Sequence, residues 1–368
     1  MTTVSTTLDR LVEKAMTDIG ATANAALMIT GTRLGLFSAL AEIGPATADE
    51  LAAKTETRER YVREWLAAQA ASGYVNWDAL TQRFSMSPEQ VMLFADEDSP
   101  VYLAGGFFSA ASTINDEEKI TQAFRTGAGI DWGDHHACLF CGVEKFFRPS
   151  YESNVVQSWI PSLPGIEDKL RTGIMVADLG CGHGTSTIVM AKAYPNSQFI
   201  GIDNHAPSIE RSRELAAEEG LSNVRFELAS AQNFQGPQTP DTHHGSQRAD
   251  TDAGYELITT FDALHDMGDP RGAARRVHEM LKPDGSWMVV EPKAGDRLEE
   301  NLHPVGRTYY AMSTSCCVPS ALSQPVGEAI GAQAGPSVLQ DILRSGGFGN
   351  TRIACETPFN LVLEARHA

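Results

Sequence analysis

The residues best placed to do chemistry begin with Val176-Ala177-Asp178-Leu179-Gly180-Cys181-Gly182-His183-Gly184, where an apolar run ends in an acid and three alternating glycines. A second apolar run, Phe199-Ile200-Gly201-Ile202, ends in Asp203. Glycine is needed where a backbone turns sharply and a ligand comes close, because a Cβ would clash or forbid positive φ. Between a strand and a helix N-terminus such a loop offers free N–H groups, and an acid at the next strand end can take two ribose hydroxyls. A nucleotide cradle is expected. The dinucleotide fingerprint puts its third glycine at the sixth position, which counted from Gly180 is Thr185, so hydride chemistry is disfavoured.

His265 lies in Phe261-Asp262-Ala263-Leu264-His265-Asp266-Met267-Gly268-Asp269, just past the carboxyl end of an expected strand. Ligands of open α/β sheets sit at such ends. A histidine there can act as a general base, or it can cap the next helix or bond a backbone carbonyl. Asp266 could orient the imidazole. Glu291, ending the following strand before Pro292, could bond His265, orient a substrate or simply close the strand. The run His135-His136-x-Cys138-x-x-Cys141 holds metal-ligand types, but no second pair follows at zinc spacing; no metal is expected, and these side chains read as packed or pocket-lining.

The glycine triplet with an acid two residues before it resembles motif I of class I S-adenosylmethionine (SAM) methyltransferases. The resemblance implies SAM as cofactor, with Asp178 facing its methionine end and Asp203 its ribose. Ser230 and Ala231, after the third strand, stand where that family holds adenine. Gly180, Cys181, Gly182, Gly184, Asn204, Phe261 and Asp262 complete the donor-binding set this implies. Methyl transfer from a sulfonium is a direct displacement, so the protein must align acceptor, methyl and sulfur, and a proton must leave most acceptors. Leu264-His265-Asp266, with Asp269 three further on, is similar to the catalytic segment of small-molecule O-methyltransferases that carry a winged-helix domain. There the histidine deprotonates a hydroxyl; Met267 stands where those enzymes usually have tryptophan.

The resemblance runs through the whole chain, to a bacterial subfamily of winged-helix class I methyltransferases. It rests further on Phe146-Phe147-Arg148-Pro149-Ser150-Tyr151, Asn301-Leu302-His303-Pro304-Val305-Gly306-Arg307 and Pro358-Phe359-Asn360-Leu361-Val362-Leu363. It implies a homodimer through the N-terminal region and a small-molecule acceptor, with Phe146, Phe147, Tyr151, Tyr310, Met312 and Cys316 lining an apolar acceptor pocket. Two departures stand out: the insertion Gly236 to Gly254 and the cysteine-rich Ser315-Cys316-Cys317. The expected activity is methylation of a small apolar or aromatic metabolite at a hydroxyl, with N- or C-methylation as the alternative. From another class comes a ligand-sensing transcriptional regulator using the winged helix.

These residues need a scaffold, and the pattern supplies two. From Thr7 to Leu93 the apolar spacing is helical, and Thr47-Ala48-Asp49-Glu50-Leu51 reads as a helix start. A further helix runs from about Arg58 to Gly73, and Tyr74 to Trp77 with Arg83 to Met86 flank a polar turn as a two-stranded wing would. That order is a winged helix. Arg58, Arg60 and Arg63 of its third helix are interleaved with Glu56, Glu59 and Glu64, which builds no phosphate-binding face. From Gly173 a Rossmann-like α/β fold is expected, with strands at 173–178, 198–203, 224–228, 256–261 and 286–291 and a closing antiparallel hairpin of 351–356 with 360–365, making the sheet mostly parallel. The expected domains are therefore 1–100, winged helix and dimerisation; 101–170, a helical connector; and 171–368, SAM binding.

Composition agrees with a globular protein: 42% apolar and 21% charged residues over 368 positions. A net charge of −18 disfavours nucleic acid as a partner. No stretch reaches the ~18 uninterrupted apolar residues of a membrane helix. Met1-Thr2-Thr3-Val4-Ser5 has neither a basic region nor an apolar core, and six cysteines read as thiols, so the cytoplasm is the expected compartment. Gly236 to Gly254 reads as a long surface loop, and its His243-His244 is assigned no role.

Overall fold

The structure, a computed structural model, describes residues 6–237 and 254–368; the greater part of the expected loop, with His243-His244, lies outside the described residues. The chain divides into two compact units, one of residues 1–115 with 136–150 and one of residues 116–135 with 151–368. The stretch expected as a connector is thus shared between the two.

In the first unit α1 (Thr7–Arg33), α2 (Leu36–Ile43), α3 (Ala48–Lys54) and α4 (Glu59–Ala71) lead into a hairpin of β1 (Asn76–Asp78) and β2 (Arg83–Ser85), then α5 (Pro88–Phe94) and α6 (Ala104–Asn115). The expected start of α3 is made by a capping box, in which Thr47 accepts from the Glu50 N–H and Glu50 accepts from the Thr47 N–H. Phe37, Leu40, Leu51, Val62, Trp65 and Leu66 close the core. Phe37 meets Trp65 edge to face at 4.7 Å, and Gly31 is required because a Cβ there would stand 2.5 Å from the Trp65 ring.

The second unit takes α7 (Glu117–Thr126) and the last turn of α8 (Cys138–Asn154), then α9 (Ile166–Thr172). The strands follow as β3 (Met175–Leu179), α10 (Thr185–Ala193), β4 (Gln198–Asp203), α11 (Ala206–Glu218), β5 (Val224–Leu228), β6 (Tyr255–Phe261), α12 (Pro270–Met280) and β7 (Leu281–Pro292). After β7 come α13 (Pro304–Met312), α14 (Val318–Ser323), α15 (Gly335–Ser345), β8 (Asn350–Glu356) and β9 (Asn360–Arg366). The seven strands lie in the order β5-β4-β3-β6-β7-β9-β8, parallel except for β9, which runs antiparallel to both neighbours. Strand order reverses between β3 and β6, and the crevice at their carboxyl ends is where such sheets bind ligands. Buried Ala177, Leu179, Ile200, Ile258, Trp287, Val289 and Leu363 form the core beneath that mouth.

Candidate active site

The glycine loop leaves β3 at the reversal point. Gly180, Gly182 and Gly184 hold φ of +71°, +53° and +81°. A Cβ on Gly180 would stand 2.6 Å from the Ala263 Cβ, and one on Gly184 would stand 2.7 Å from the Phe226 ring. The first glycine therefore lets the loop lie against the segment that carries His265.

The loop's N–H groups are largely used within the protein, contrary to the expectation that they are free. Those of Gly180 and Cys181 go to the Ile202 carbonyl, that of Gly184 goes to the Cys181 carbonyl, and that of Gly182 goes to Asp203 Oδ2 at 2.9 Å. Such a loop presents shape more than anion-binding donors. The Cys181 side chain packs with Ile188, Ile209 and Phe226.

Asp178 is buried and saturated: Ser186 and Thr187 donate to Oδ2 at 2.7 and 2.6 Å, and Thr259 donates to Oδ1 at 2.8 Å. Burial pushes its carboxyl up to about 6, against the pull of the three hydroxyls. Its place is under the loop, tying β3 to β6 and to the first turn of α10. Asp203 accepts from the Gly182 N–H and, through Oδ1, from the His205 N–H at 2.8 Å; burial raises its pKa while both N–H groups oppose the rise. Each oxygen keeps acceptor capacity for a ligand hydroxyl. Asn204 is exposed, and Ser230 and Ala231 are half-buried beyond β5.

Beyond β6 the arrangement changes. Phe261 stacks on Trp159 at 6.0 Å, and Asp262 takes φ +47°, a region that aspartate enters more readily than most residues. The Asp262 carboxylate accepts from the Tyr151 hydroxyl at 2.9 Å and from Asn360 Nδ2 at 3.0 Å. Burial first, and then the nearby Glu291, push its pKa up to about 8. A one-turn 3-10 helix, Leu264–Asp266, then presents His265, which is only 4% exposed. Its Nδ1 lies 2.5 Å from Glu291 Oε2, while Glu291 Oε1 accepts from the Leu264 N–H at 2.9 Å. One carboxylate thus fixes both the ring and the backbone that carries it. Burial disfavours the imidazolium, but Glu291 and then Asp266 outweigh it, so the ring holds a proton well above the ordinary histidine range. Asp266 Oδ1 lies 3.4 Å from His265 Nε2.

The expected acceptor-lining residues divide between the units: Phe146 and Phe147 belong to the first, and Tyr151, Tyr310, Met312 and Cys316 to the second. Tyr310 and Met312 are half-buried on α13, whereas the adjacent Tyr309 is buried and donates to the Phe359 carbonyl at 3.3 Å. Residues that sequence reasoning missed are Asn360, Cys317 and the hydroxyls of Ser186, Thr187 and Thr259. Asn360 did lie within a segment singled out for resemblance, and Cys317 within one singled out as a departure. His135 is buried with Nδ1 3.3 Å from Asp116 Oδ2 and Nε2 3.4 Å from Ser320 Oγ, so both ring nitrogens are engaged by protein groups.

A family model described as "Methyltransferase domain" matches residues 170–340, and one described as "Rv2258c-like winged HTH domain" matches residues 22–95. Two family models thus match the chain in tandem, a winged-helix domain followed by a methyltransferase domain. Among curated proteins, the uncharacterized methyltransferase YcgJ of Bacillus subtilis is 28% identical over 116 residues, 32% of this chain and 40% of its own length. The ubiquinone biosynthesis O-methyltransferase of Leptothrix cholodnii is 26% identical over 148 residues, 40% of this chain and 54% of its own length. The chain spans about half, or less, of the length of these relatives. Among solved structures, human N-acetylserotonin methyltransferase in complex with SAM has a TM-score of 0.69 at 16% identity, with 100% of both chains covered. A putative O-methyltransferase of Nostoc punctiforme has a TM-score of 0.68 at 16% identity, covering 96% of this chain and 98% of its own. These two share the fold of the methyltransferase domain and of the helical region before it.

Proposed function

We propose that this protein transfers the methyl group of SAM to a hydroxyl of a small apolar or aromatic acceptor, with His265 as general base. The observation that carries the reading is the buried His265–Glu291 pair, on the segment that Gly180 abuts. The methyltransferase match over residues 170–340 supports SAM as the donor, as do the structural neighbours described with SAM or its demethylated product bound. The loop fits such a donor: SAM carries no diphosphate, and the loop's N–H groups are mostly engaged. Asp203 would hold the ribose hydroxyls, and Gly180, Gly182 and Gly184 would admit the donor closely. SAM supplies an already activated methyl group, so the chain's own task is to align the acceptor and accept its proton. Glu291 and Asp266 stabilise the imidazolium that forms when the neutral ring takes that proton, and by holding the ring's proton they place this role at a pH above the ordinary histidine range.

The same reading makes the protein a cytoplasmic homodimer. Supporting this, the six cysteines are free thiols, and no single helix among the described residues is long and apolar enough to cross a membrane. Along α1 the large apolar side chains Leu8, Leu11, Val12, Met16 and Ile19 are each more than half exposed at helical spacing, as a dimer-forming stripe would be. The regulator reading is weakened at α4, where Arg60 pairs with Glu64 at 2.6 Å and Arg63 with Glu59 at 2.5 Å, so these arginines are already neutralised. Incubation with methyl-labelled SAM and a metabolite extract, followed by mass spectrometry, is expected to give a labelled O-methyl ether. Label on nitrogen or carbon would replace the oxygen assignment, and no labelled product from any extract would overturn the activity.

A further inference from the structure

The polar groups at the mouth of β6 do more than orient a base. A ring nitrogen of His265, a carboxylate oxygen of Asp266 and Sγ of Cys317 all lie within 4.8 Å of one another, and it is Nε2 that lies 3.4 Å from Asp266 Oδ1. The Cys317 thiol comes to this cluster from more than fifty positions away in the chain. Asp266 Oδ1 is shielded from solvent without a hydrogen-bond partner, despite lying 3.4 Å from Nε2. A buried, unpartnered carboxylate oxygen is costly unless a ligand completes it.

Nitrogen, oxygen and sulfur donors of this kind are those of zinc, which binds at about 2.0–2.3 Å and so sets its ligands roughly 3.3–3.8 Å apart. The cluster needs only a contraction of about 1 Å to reach that spacing. The outer ring of the site is present as well. Metal-bound histidines donate their other ring nitrogen to a carboxylate, and Glu291 already sits on Nδ1 of His265. The run His135 to Cys141 lacks this character, because Asp116 and Ser320 engage both His135 nitrogens.

We propose that His265, Asp266 and Cys317 bind a divalent thiophilic cation of the zinc class, with Glu291 as the outer carboxylate and the fourth coordination position open. This departs from the sequence expectation of a metal-free site. The cation replaces the thiol proton of Cys317 and any proton on Nε2, and both protons go to solvent. Binding occupies Nε2, the ring nitrogen that Glu291 does not hold, so zinc inhibits methyl transfer; this last consequence rests on the proposed activity, and the site itself does not.

The test titrates the full-length protein, freed of metal with a chelator, with cobalt(II) and then zinc. Expected are one equivalent of cobalt with a thiolate-to-cobalt absorption band and intense tetrahedral visible bands, both removed by zinc. Cys317→Ser abolishes the thiolate band, and Glu291→Gln weakens zinc binding ~10–100-fold. Cys316→Ser and the double variant Cys138→Ser with Cys141→Ser keep the band, with circular dichroism showing that each variant is folded. A band that survives in Cys317→Ser, or is lost in the Cys138 and Cys141 variant, overturns the site, as does the absence of any thiolate band in the wild type. If Cys317→Ser does not fold, Asp266→Asn serves: loss of the tetrahedral bands supports the site, and an unchanged spectrum overturns it. With an acceptor in hand, zinc is expected to stop methyl transfer and chelator to restore it. Failure of that arm alone, with the cobalt bands present, would tell against His265 as base and leave the metal site standing.

Discussion

The two mouths of the sheet, at β3 and at β6, handle buried acids in opposite ways. At β3 and its neighbour β4 the acids are satisfied: three hydroxyls fill Asp178, and two backbone N–H groups hold Asp203. At β6 the charges crowd: Asp262 is driven up to about 8, Asp266 Oδ1 lacks a partner, and His265 lies between two carboxylates. A saturated region is rigid and suits a ligand of fixed shape. An unsaturated one retains unmet demand for protons or cations, which is what proton transfer or metal binding uses. The proposed donor site and the proposed base therefore fall on neighbouring strand ends with different physical character.

This contrast is best broken at its chemical end. His265→Ala is expected to leave SAM affinity unchanged, measured by calorimetry, and to lower turnover ~10²-fold or more. Unchanged turnover would reduce His265 to a packing role and the β6 mouth to a crowded surface.

At the donor end, Gly180→Ala probes whether shape alone decides. At φ +71° and with Ala263 in the path of the new Cβ, the substitution is expected to destabilise by about 1–3 kcal/mol and to weaken SAM binding. A variant with native melting temperature and full SAM affinity would show that the loop is not a shaped surface.

The smallest effect sharpens the comparison through pH. Asp262 holds its proton to about pH 8 when folded and has an ordinary value of 3.8. Between those values the native state binds the extra proton, so this group's contribution to stability is largest at low pH and is lost as pH rises through 8. Asp262→Asn keeps the left-handed backbone within reach and removes the titration. Its melting temperature is expected to fall less than that of the wild type between about pH 6 and about pH 9, by roughly 3 °C. Parallel curves for the two proteins would mean that Asp262 is ionised throughout.

Much of the donor region was legible because its determinants are local. Positive φ at Gly180, Gly182 and Gly184 follows from a missing Cβ, and the ends of β4 and β6 follow from apolar runs that stop at Asp203 and Phe261, while β3 runs one residue past Asp178. The reading of Asp178 was less complete, because Ser186 and Thr187 are eight and nine positions on and Thr259 is on another strand. Cysteine next to cysteine at 316 and 317 was noticed without any sign of which thiol meets His265.

By itself the sequence determined the alternation of strands and helices, the winged-helix order and the glycine loop, because these depend on backbone freedom and on periodic burial over a few residues. The tertiary structure alone decided the side-chain partners: Glu291 on His265, Cys317 beside Asp266, and Tyr151 and Asn360 converging on Asp262 from 111 and 98 positions away. Partners so distant in the chain are chosen by sheet order and by the packing of the segments after β7, which no local preference encodes.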